Sequence, residues 1–306
     1  MQPSKIQVTK LHTFTGHRDC VYTLQPAHEP HLFFSGAGDG MVTLWNLKER
    51  GDGELIAQLP NSVYSLHHRS DKKLLVVGQN YSGIHLIDYQ NKKEIASLQL
   101  TSSAIFDIQS FETDLILATG DGMILIVDLE KWNVKKRLAP SEKSARAIAV
   151  NKISGEVAVG YSDYSIRIFN LPDYKLKYEF KAHDNSVFAL SYSPDGKFLF
   201  SGARDARLKI WDPSSNYNQA EEVVAHMYAI NHIAFSPDGK NFATCSMDKS
   251  IKIWNKGDVK LLKVIDKGRH AGHGTSVNKL LWTSFNGQLV SASDDRSISV
   301  WDLLFL

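Results

Sequence analysis

Histidine, a hydroxyl side chain and aspartate are the residue set of a nucleophilic triad, and this chain carries that set four times at fixed spacing. His17, Ser35 and Asp39 recur as His183, Ser201 and Asp205, as His226, Thr244 and Asp248, and as His273, Ser291 and Asp295. In every copy the acid lies 22 residues after the histidine and 4 after the hydroxyl, and a tryptophan follows 6 later: Trp45, Trp211, Trp254 and Trp301. Acyl-transfer chemistry would use such a triad at one place, with the imidazole as base. Four identical sets argue instead for a structural role. The carboxylate accepts from the imidazole and from backbone N–H groups, and the hydroxyl links imidazole to indole. Each buried polar group so gains a partner and avoids a cost of about 1–3 kcal/mol. These sixteen residues are expected to be clips, with no catalytic residue among them.

The elements that would hold such clips show up as a repeat. An apolar–aromatic step ending in Asp or Asn occurs seven times, at Trp45-Asn46, Ile87-Asp88, Val127-Asp128, Phe169-Asn170, Trp211-Asp212, Trp254-Asn255 and Trp301-Asp302, with successive gaps of 42, 40, 42, 42, 43 and 47 residues. An upstream apolar marker keeps the same rhythm at Val21, Val63, Ile105, Ala145, Val187, Ile230 and Val277. Each period holds four short stretches of strand character. Around the fifth repeat they are Lys177–Phe180, Val187–Ser191, Phe198–Ser201 and Leu208–Trp211, with Ser193-Pro194-Asp195-Gly196 as a turn. Helical periodicity is missing. Four strands per period of about 40–45 residues make a propeller blade, with the histidine loop and the aspartate turn at the same end of it.

The His…Ser/Thr…Asp…Trp spacing, with the closing Trp-Asp or Trp-Asn pairs, resembles the WD-repeat propeller family over nearly the whole chain. The expected fold is all-β: a single seven-bladed β-propeller of four-stranded antiparallel blades covering residues 1–306. The last repeat stops soon after Trp301-Asp302 without an outer strand of its own, and Gln7–Phe14 forms an unassigned strand. The expected closure places that N-terminal strand on the last blade, as is usual in the family, and removes an aggregation-prone edge. Repeats two to four depart from the template. Tyr81 stands at the acid position of repeat two, Leu117 and Val159 stand at the hydroxyl positions beside Asp121 and Asp163, and no histidine enters these blades at the matching place. They are expected to hold by packing, with fewer polar clips.

Composition narrows the functions. The 306 residues carry a formal charge of +2, from 35 basic and 33 acidic side chains, which does not favour general binding to nucleic acid or membrane. The basic runs Lys72-Lys73, Lys92-Lys93 and Lys135-Lys136-Arg137 are expected on solvated turns. Two cysteines, Cys20 and Cys245, make neither a disulfide framework nor a metal pair and fit a reducing compartment. The opening residues Met1–Gln7 lack the apolar core of a secretory signal, and no run is long enough to span a membrane. The expected location is the cytoplasm, with the nucleus open. His270 and His273 in the long stretch before repeat seven are read as part of a surface loop, because His273 belongs to a clip and no third ligand is near. No cofactor or metal is expected.

Chemistry available to a partner is expected at the propeller mouth. The residue after each buried apolar marker faces it: Tyr22, Tyr64, Phe106, Arg146, Phe188, Asn231 and Asn278. Residues just before the turn acids crowd the same rim, among them Arg204, Met247 and Asp294. Aromatic and arginine side chains are over-represented in interface hot spots, and arginine offers a fork to carboxylate or phosphate. The contact candidates are Tyr22, Tyr64, Phe106, Arg146, Phe188, Arg204, Asn231, Met247 and Asn278. The expected role is a non-catalytic scaffold that docks a peptide or loop, acidic or phosphorylated, toward blades two to five. The contrary reading, in which the aromatics only pack against neighbouring strand ends, stays open, as does oligomeric state, with a monomer favoured. A propeller enzyme would need clustered acids or histidines in the channel, where Asp107 stands alone. A ubiquitin-ligase substrate adaptor of this family often carries Arg two residues after the Trp-Asp pair. Here those positions hold Lys48, Gln90, Glu130, Pro172, Ser214, Gly257 and Leu304.

Overall fold

The computed structural model describes residues 6–49, 51–69, 71–171 and 173–306. The opening residues 1–5 and Pro172 therefore lie outside the described residues. Strand β1 (Ile6–Phe14) comes first and is set apart from its sequence neighbours. It is followed by β2 (Val21–Pro26), β3 (Leu32–Ala37), β4 (Met41–Asn46) and β5 (Glu54–Gln58), which form one sheet in that order. The next sheet is β6 (Val63–Arg69), β7 (Leu74–Gln79), β8 (Gly83–Asp88) and β9 (Lys93–Leu98). Then come β10 (Ile105–Phe111), β11 (Asp114–Thr119), β12 (Ile124–Asp128) and β13 (Asn133–Leu138), and after them β14 (Ala145–Asn151), β15 (Glu156–Tyr161), β16 (Ser165–Asn170) and β17 (Leu176–Lys181). The fifth and sixth sheets are β18 (Val187–Tyr192), β19 (Leu199–Ala203), β20 (Arg207–Asp212) and β21 (Asn218–Val224), and β22 (Ile230–Phe235), β23 (Asn241–Ser246), β24 (Ile251–Asn255) and β25 (Leu261–Ile265). The last sheet runs β26 (Val277–Trp282), β27 (Leu289–Ser293), β28 (Ile298–Phe305) and, beyond β28, β1.

Seven such four-stranded antiparallel sheets make the fold a seven-bladed β-propeller, closed as expected by the N-terminal strand on the last blade. The β1–β28 pairing runs antiparallel from Ile6↔Phe305 to Phe14↔Ile298. The strand Lys177–Phe180 that opens the fifth sequence repeat belongs to the fourth sheet. Sequence repeat and blade are thus offset by one strand, and this offset is what leaves the last blade in need of β1.

By backbone contacts the chain forms two compact units, one of residues 1–75, 88–93 and 231–306, the other of 76–87 and 94–230. In the first, Phe14, Phe33, Trp45, Val290 and Val300 belong to one buried cluster and Ile6, Ile253, Trp282 and Trp301 to another. In the second, Ile116, Ile126, Val157 and Phe169 form one cluster and Ile166, Leu190, Leu199 and Trp211 another. Position in the sheet explains the pattern: the second strands β11, β15 and β23 lie between two neighbours and bury every residue on both faces, whereas outer strands such as β13 stay largely exposed.

Two local expectations need correction. Lys135-Lys136-Arg137 lies within outer strand β13 and not on a turn, because valine at 134 and leucine at 138 continue the strand's apolar face. The stretch before repeat seven contains one helical turn, α1 (Lys267–His270), capped by the Asp266 side chain, which accepts from the Arg269 N–H at 2.8 Å. A single turn is too short to show as a periodicity.

Candidate functional site

The fourfold residue sets form clips of the expected kind. His17 Nε2 lies 2.7 Å from Ser35 Oγ, which accepts from Trp45 Nε1 at 2.7 Å, while His17 Nδ1 lies 3.2 Å from Asp39 Oδ2. A carboxylate needs a proton donor, so Nδ1 carries the proton, Nε2 accepts from the serine, and the serine accepts from the indole. Burial lowers the His17 pKa despite the opposing charge and hydrogen bond of Asp39, which keeps the ring neutral at pH 7. The same distances recur at His183 (2.9 Å to Asp205, 2.7 Å to Ser201, with Trp211 at 2.8 Å) and at His273 (2.9 Å to Asp295, 2.8 Å to Ser291, with Trp301 at 2.8 Å). Of the remaining set, Trp254 donates to Thr244 Oγ1 at 2.9 Å, Asp248 accepts from the Ser250 N–H at 3.0 Å, and His226 is buried.

The Asp205 carboxyl makes this measurable. Burial raises its pKa, but the His183 hydrogen bond and charge, with the N–H groups of Arg207 and Asp184, outweigh burial and hold it at about 2, against an ordinary 3.8. A depressed folded-state pKa contributes stability that is present above the unfolded value and lost as pH falls through the folded one. Asp205→Asn removes that contribution. The stability gap between wild type and variant is expected to narrow as pH falls from about 4 to about 2, measured by denaturant titration at each pH. A constant gap would show that the carboxylate's charge plays no part.

The departing repeats are clipped too, by other means. Asp121 accepts from Thr101 Oγ1 at 2.6 Å and from Thr119, and Asp163 accepts from Ser141 Oγ at 2.7 Å and from Ser165. Ser141 stands 22 residues before Asp163, at the histidine position. Arg167, buried in strand β16, donates to Asp163 at 2.9 Å, to Ser165 at 2.7 Å and to Glu179 at 2.6 Å, with its guanidinium 4.5 Å from the centre of the Tyr161 ring. For repeats three and four the expectation of fewer polar clips does not hold, because a short hydroxyl or a long arginine reaches the same carboxylate that a histidine would; repeat two has the exposed Tyr81 in place of that carboxylate. Sequence reasoning also missed a repeated clip at the opposite end of these blades. Asp114 pairs with Lys135 at 2.5 Å and accepts from Tyr174 at 2.9 Å; Glu156 does the same with Lys177 at 2.5 Å and Tyr217 at 2.6 Å. The signal was the spacing of acid, lysine and tyrosine at the repeat period.

The nine expected contact residues divide between the two units. In the first, the Tyr22 and Tyr64 rings lie 4.8 Å apart and tilted by 32°. The Asn231 amide donates to Ser276 Oγ at 3.0 Å and the Val277 carbonyl at 2.8 Å. The Asn278 amide donates to the Val21 carbonyl at 3.0 Å and to Asp294 at 2.7 Å. Both amides are therefore engaged within the protein, while Met247 is 50% exposed.

In the second unit three of the residues converge. The Arg146 guanidinium lies 4.1 Å from the centre of the Phe106 ring and 5.0 Å from that of Phe188. Each of the three sits at a register shift: β10–β11 slips between Ile105 and Asp107, β14–β15 between Ala145 and Ala147, and β18–β19 between Val187 and Ala189. A β-bulge takes one residue out of the ladder and re-aims its side chain, which is how three successive inner strands turn Phe106, Arg146 and Phe188 toward each other. Two aromatic rings this close to the guanidinium attract it through their faces and restrict the arginine's rotamers. Loops at this end are tied together: Ser144 Oγ donates to the Gly120 carbonyl at 2.8 Å, and the Arg204 N–H to the Ser186 carbonyl at 2.9 Å. Arg204 is exposed. Asp107, the one acid singled out for channel chemistry, accepts from the backbone N–H groups of Ile108 at 2.9 Å and Ile148 at 2.8 Å. Among the described residues no group of three or more His, Cys, Asp or Glu is placed to hold a metal ion, and no helix is long and apolar enough to cross a membrane.

The model of the WD domain, G-beta repeat, matches residues 8–46, 174–212, 219–255 and 265–302, together half of the chain. The protein belongs to the WD40-repeat family, whose propellers are typically protein-interaction scaffolds. The fold is that of the WD40 β-propeller domain of Doa1, with a TM-score of 0.85 at 18% identity over 97% of both chains. Among named relatives, Protein lethal(2)denticleless of Drosophila melanogaster is 26% identical over 69% of this chain and 28% of its own length. Striatin homolog of Dictyostelium discoideum is 24% identical over 65% of this chain and 21% of its own length. The 66 kDa stress protein of Physarum polycephalum is 26% identical over 70% and 35%. The chain thus spans about a third or less of the length of these relatives.

Proposed function

We propose that this protein is a non-catalytic interaction scaffold, with residues 1–306 acting as one propeller domain in the cytoplasm. Its partner is an acidic or phosphorylated peptide or loop that docks on the Phe106–Arg146–Phe188 end of the second unit. The observation that carries this reading is the guanidinium held between two phenylalanine rings at three successive bulges. A pre-oriented arginine loses little entropy on meeting a carboxylate or phosphate, and the rings add rigid contact area. The test is affinity capture with mass spectrometry, comparing wild type with a Phe106→Ala, Arg146→Ala, Phe188→Ala variant of confirmed folding. A partner held by wild type is expected to lose at least about tenfold in affinity, since one hot-spot residue is worth more than 1 kcal/mol. Phosphatase treatment of the partner separates the phosphorylated case from the acidic one. A partner held equally by both proteins overturns the reading.

A further inference from the structure

We propose that the loop Met227–Tyr228, with Arg204, is a contact point for a protein segment that carries an apolar or aromatic side chain beside a carboxylate. The propeller supplies its own comparison. Four loops follow the clip histidines with the same length, three residues before the next buried apolar residue: Val21, Val187, Ile230 and Val277. The two residues after the histidine are Arg18-Asp19, Asp184-Asn185 and Gly274-Thr275 in three of them and Met227-Tyr228 in the fourth. The loop geometry therefore asks for nothing apolar there, and polar pairs serve it elsewhere.

Met227 is 81% exposed, the highest value among the described large apolar residues, and Tyr228 is 61% exposed, with Val224 at 70% three residues before Met227. The display is built on fixed supports. Ala225, His226, Ala229 and Ile230 are all buried, and the N–H groups of Ala225 and His226 both donate to the Ala206 carbonyl, at 3.0 and 3.2 Å. Ala206 belongs to the same turn as Arg204, whose exposed side chain has no ion pair among the described residues. An adaptable thioether and an aromatic ring beside an uncompensated cation complement an apolar anchor flanked by Asp or Glu. All of these residues lie within the second unit. The inference rests on the reading that this end of the unit is its partner face, and it supplies an anchor separate from the Phe106–Arg146–Phe188 stack.

The probe is a phage-displayed library of random dodecapeptides, selected on the immobilised full chain. Enriched peptides are expected to pair Leu, Ile, Phe or Trp with Asp or Glu within two residues. Their affinity is expected to fall about tenfold or more for Met227→Asp and for Arg204→Ala, with Tyr228→Ser as a second variant and thermal melting as the control for folding. Peptides that lack the apolar–acidic pair, peptides bound equally by the variants, or no enrichment at all would overturn the inference. If wild type instead sediments as a dimer and Met227→Asp as a monomer, the occupant is a second copy and the peptide proposal falls. Loss with Met227→Asp but not with the triple stack variant supports an anchor separate from the stack, whose own reading stands or falls on the affinity capture above; loss with the triple stack variant but not with Met227→Asp overturns this inference alone.

Discussion

A chain lacking residues 1–15 is expected to melt at least about 15 °C below the full chain, or to fail to yield soluble protein. Strand β1 carries two of the buried anchors of the first unit. Ile6 packs with Trp301 and Leu303, and Phe14, 2% exposed, meets Trp45 at 5.1 Å and Phe33 at 5.9 Å between ring centres. Removing β1 strips both, loses the ladder from Ile6↔Phe305 to Phe14↔Ile298, and leaves β28 as a bare edge open to pairing with other chains. A point variant keeps the test sharp if the truncated chain is insoluble. Phe14→Ala leaves the strand but empties its place in the core, at a cost of about 3–5 kcal/mol and a fall of roughly 10 °C. Scanning calorimetry reads both. An unchanged midpoint for the truncation would mean that β1 does not close the last blade.

The second large effect is expected at Arg167. This buried guanidinium joins Asp163, Ser165 and Glu179 and lies over Tyr161, so one side chain does for the fourth blade what histidine, serine and tryptophan do for the fifth. Arg167→Met keeps most of the apolar stem and removes the fork, leaving Asp163 with only its hydroxyl and backbone partners. Breaking a buried pair by removing one partner costs about 3–5 kcal/mol. Because Glu179 is partly exposed, the lower end applies, and urea denaturation is expected to show a loss of about 3 kcal/mol with an unchanged slope. Arg167→Lys is expected to fall between, since a lysine keeps the charge but not the fork or the stacking. A loss below about 1 kcal/mol for the methionine variant, the value of an ordinary surface ion pair, would show that Arg167 is not the clip of its blade.

The two variants probe parts of the molecule that were unequally legible from sequence. Seven recurrences of an apolar–aromatic pair, and four of histidine, hydroxyl, acid and tryptophan at fixed offsets, were enough to set the number of blades, their strands, the closure by β1 and the partners within the clips of His17, His183 and His273. These features are local to one repeat. A strand pair and the turn that joins it fix the distance from residue to residue, so spacing along the chain carries the geometry.

Relations between repeats were decided only in the folded chain. Arg146 comes 40 residues after Phe106 and 42 before Phe188, and nothing in any one repeat says that its guanidinium meets two phenylalanine rings. The register slips at these three residues recur at the same place in the first and last blades, so they belong to the repeat, whereas which side chains they bring together depends on what the adjacent strands carry. Asn231 and Asn278 looked like rim donors in sequence, yet their amides meet backbone carbonyls of a neighbouring blade. Arg167 sat in an ordinary alternating strand, and only the carboxylates of Asp163 and Glu179 on either side made it a clip. Periodicity therefore determined what each blade is, and packing between blades decided which of its polar and aromatic side chains remain for a partner, because a buried polar group takes the nearest mate the fold presents.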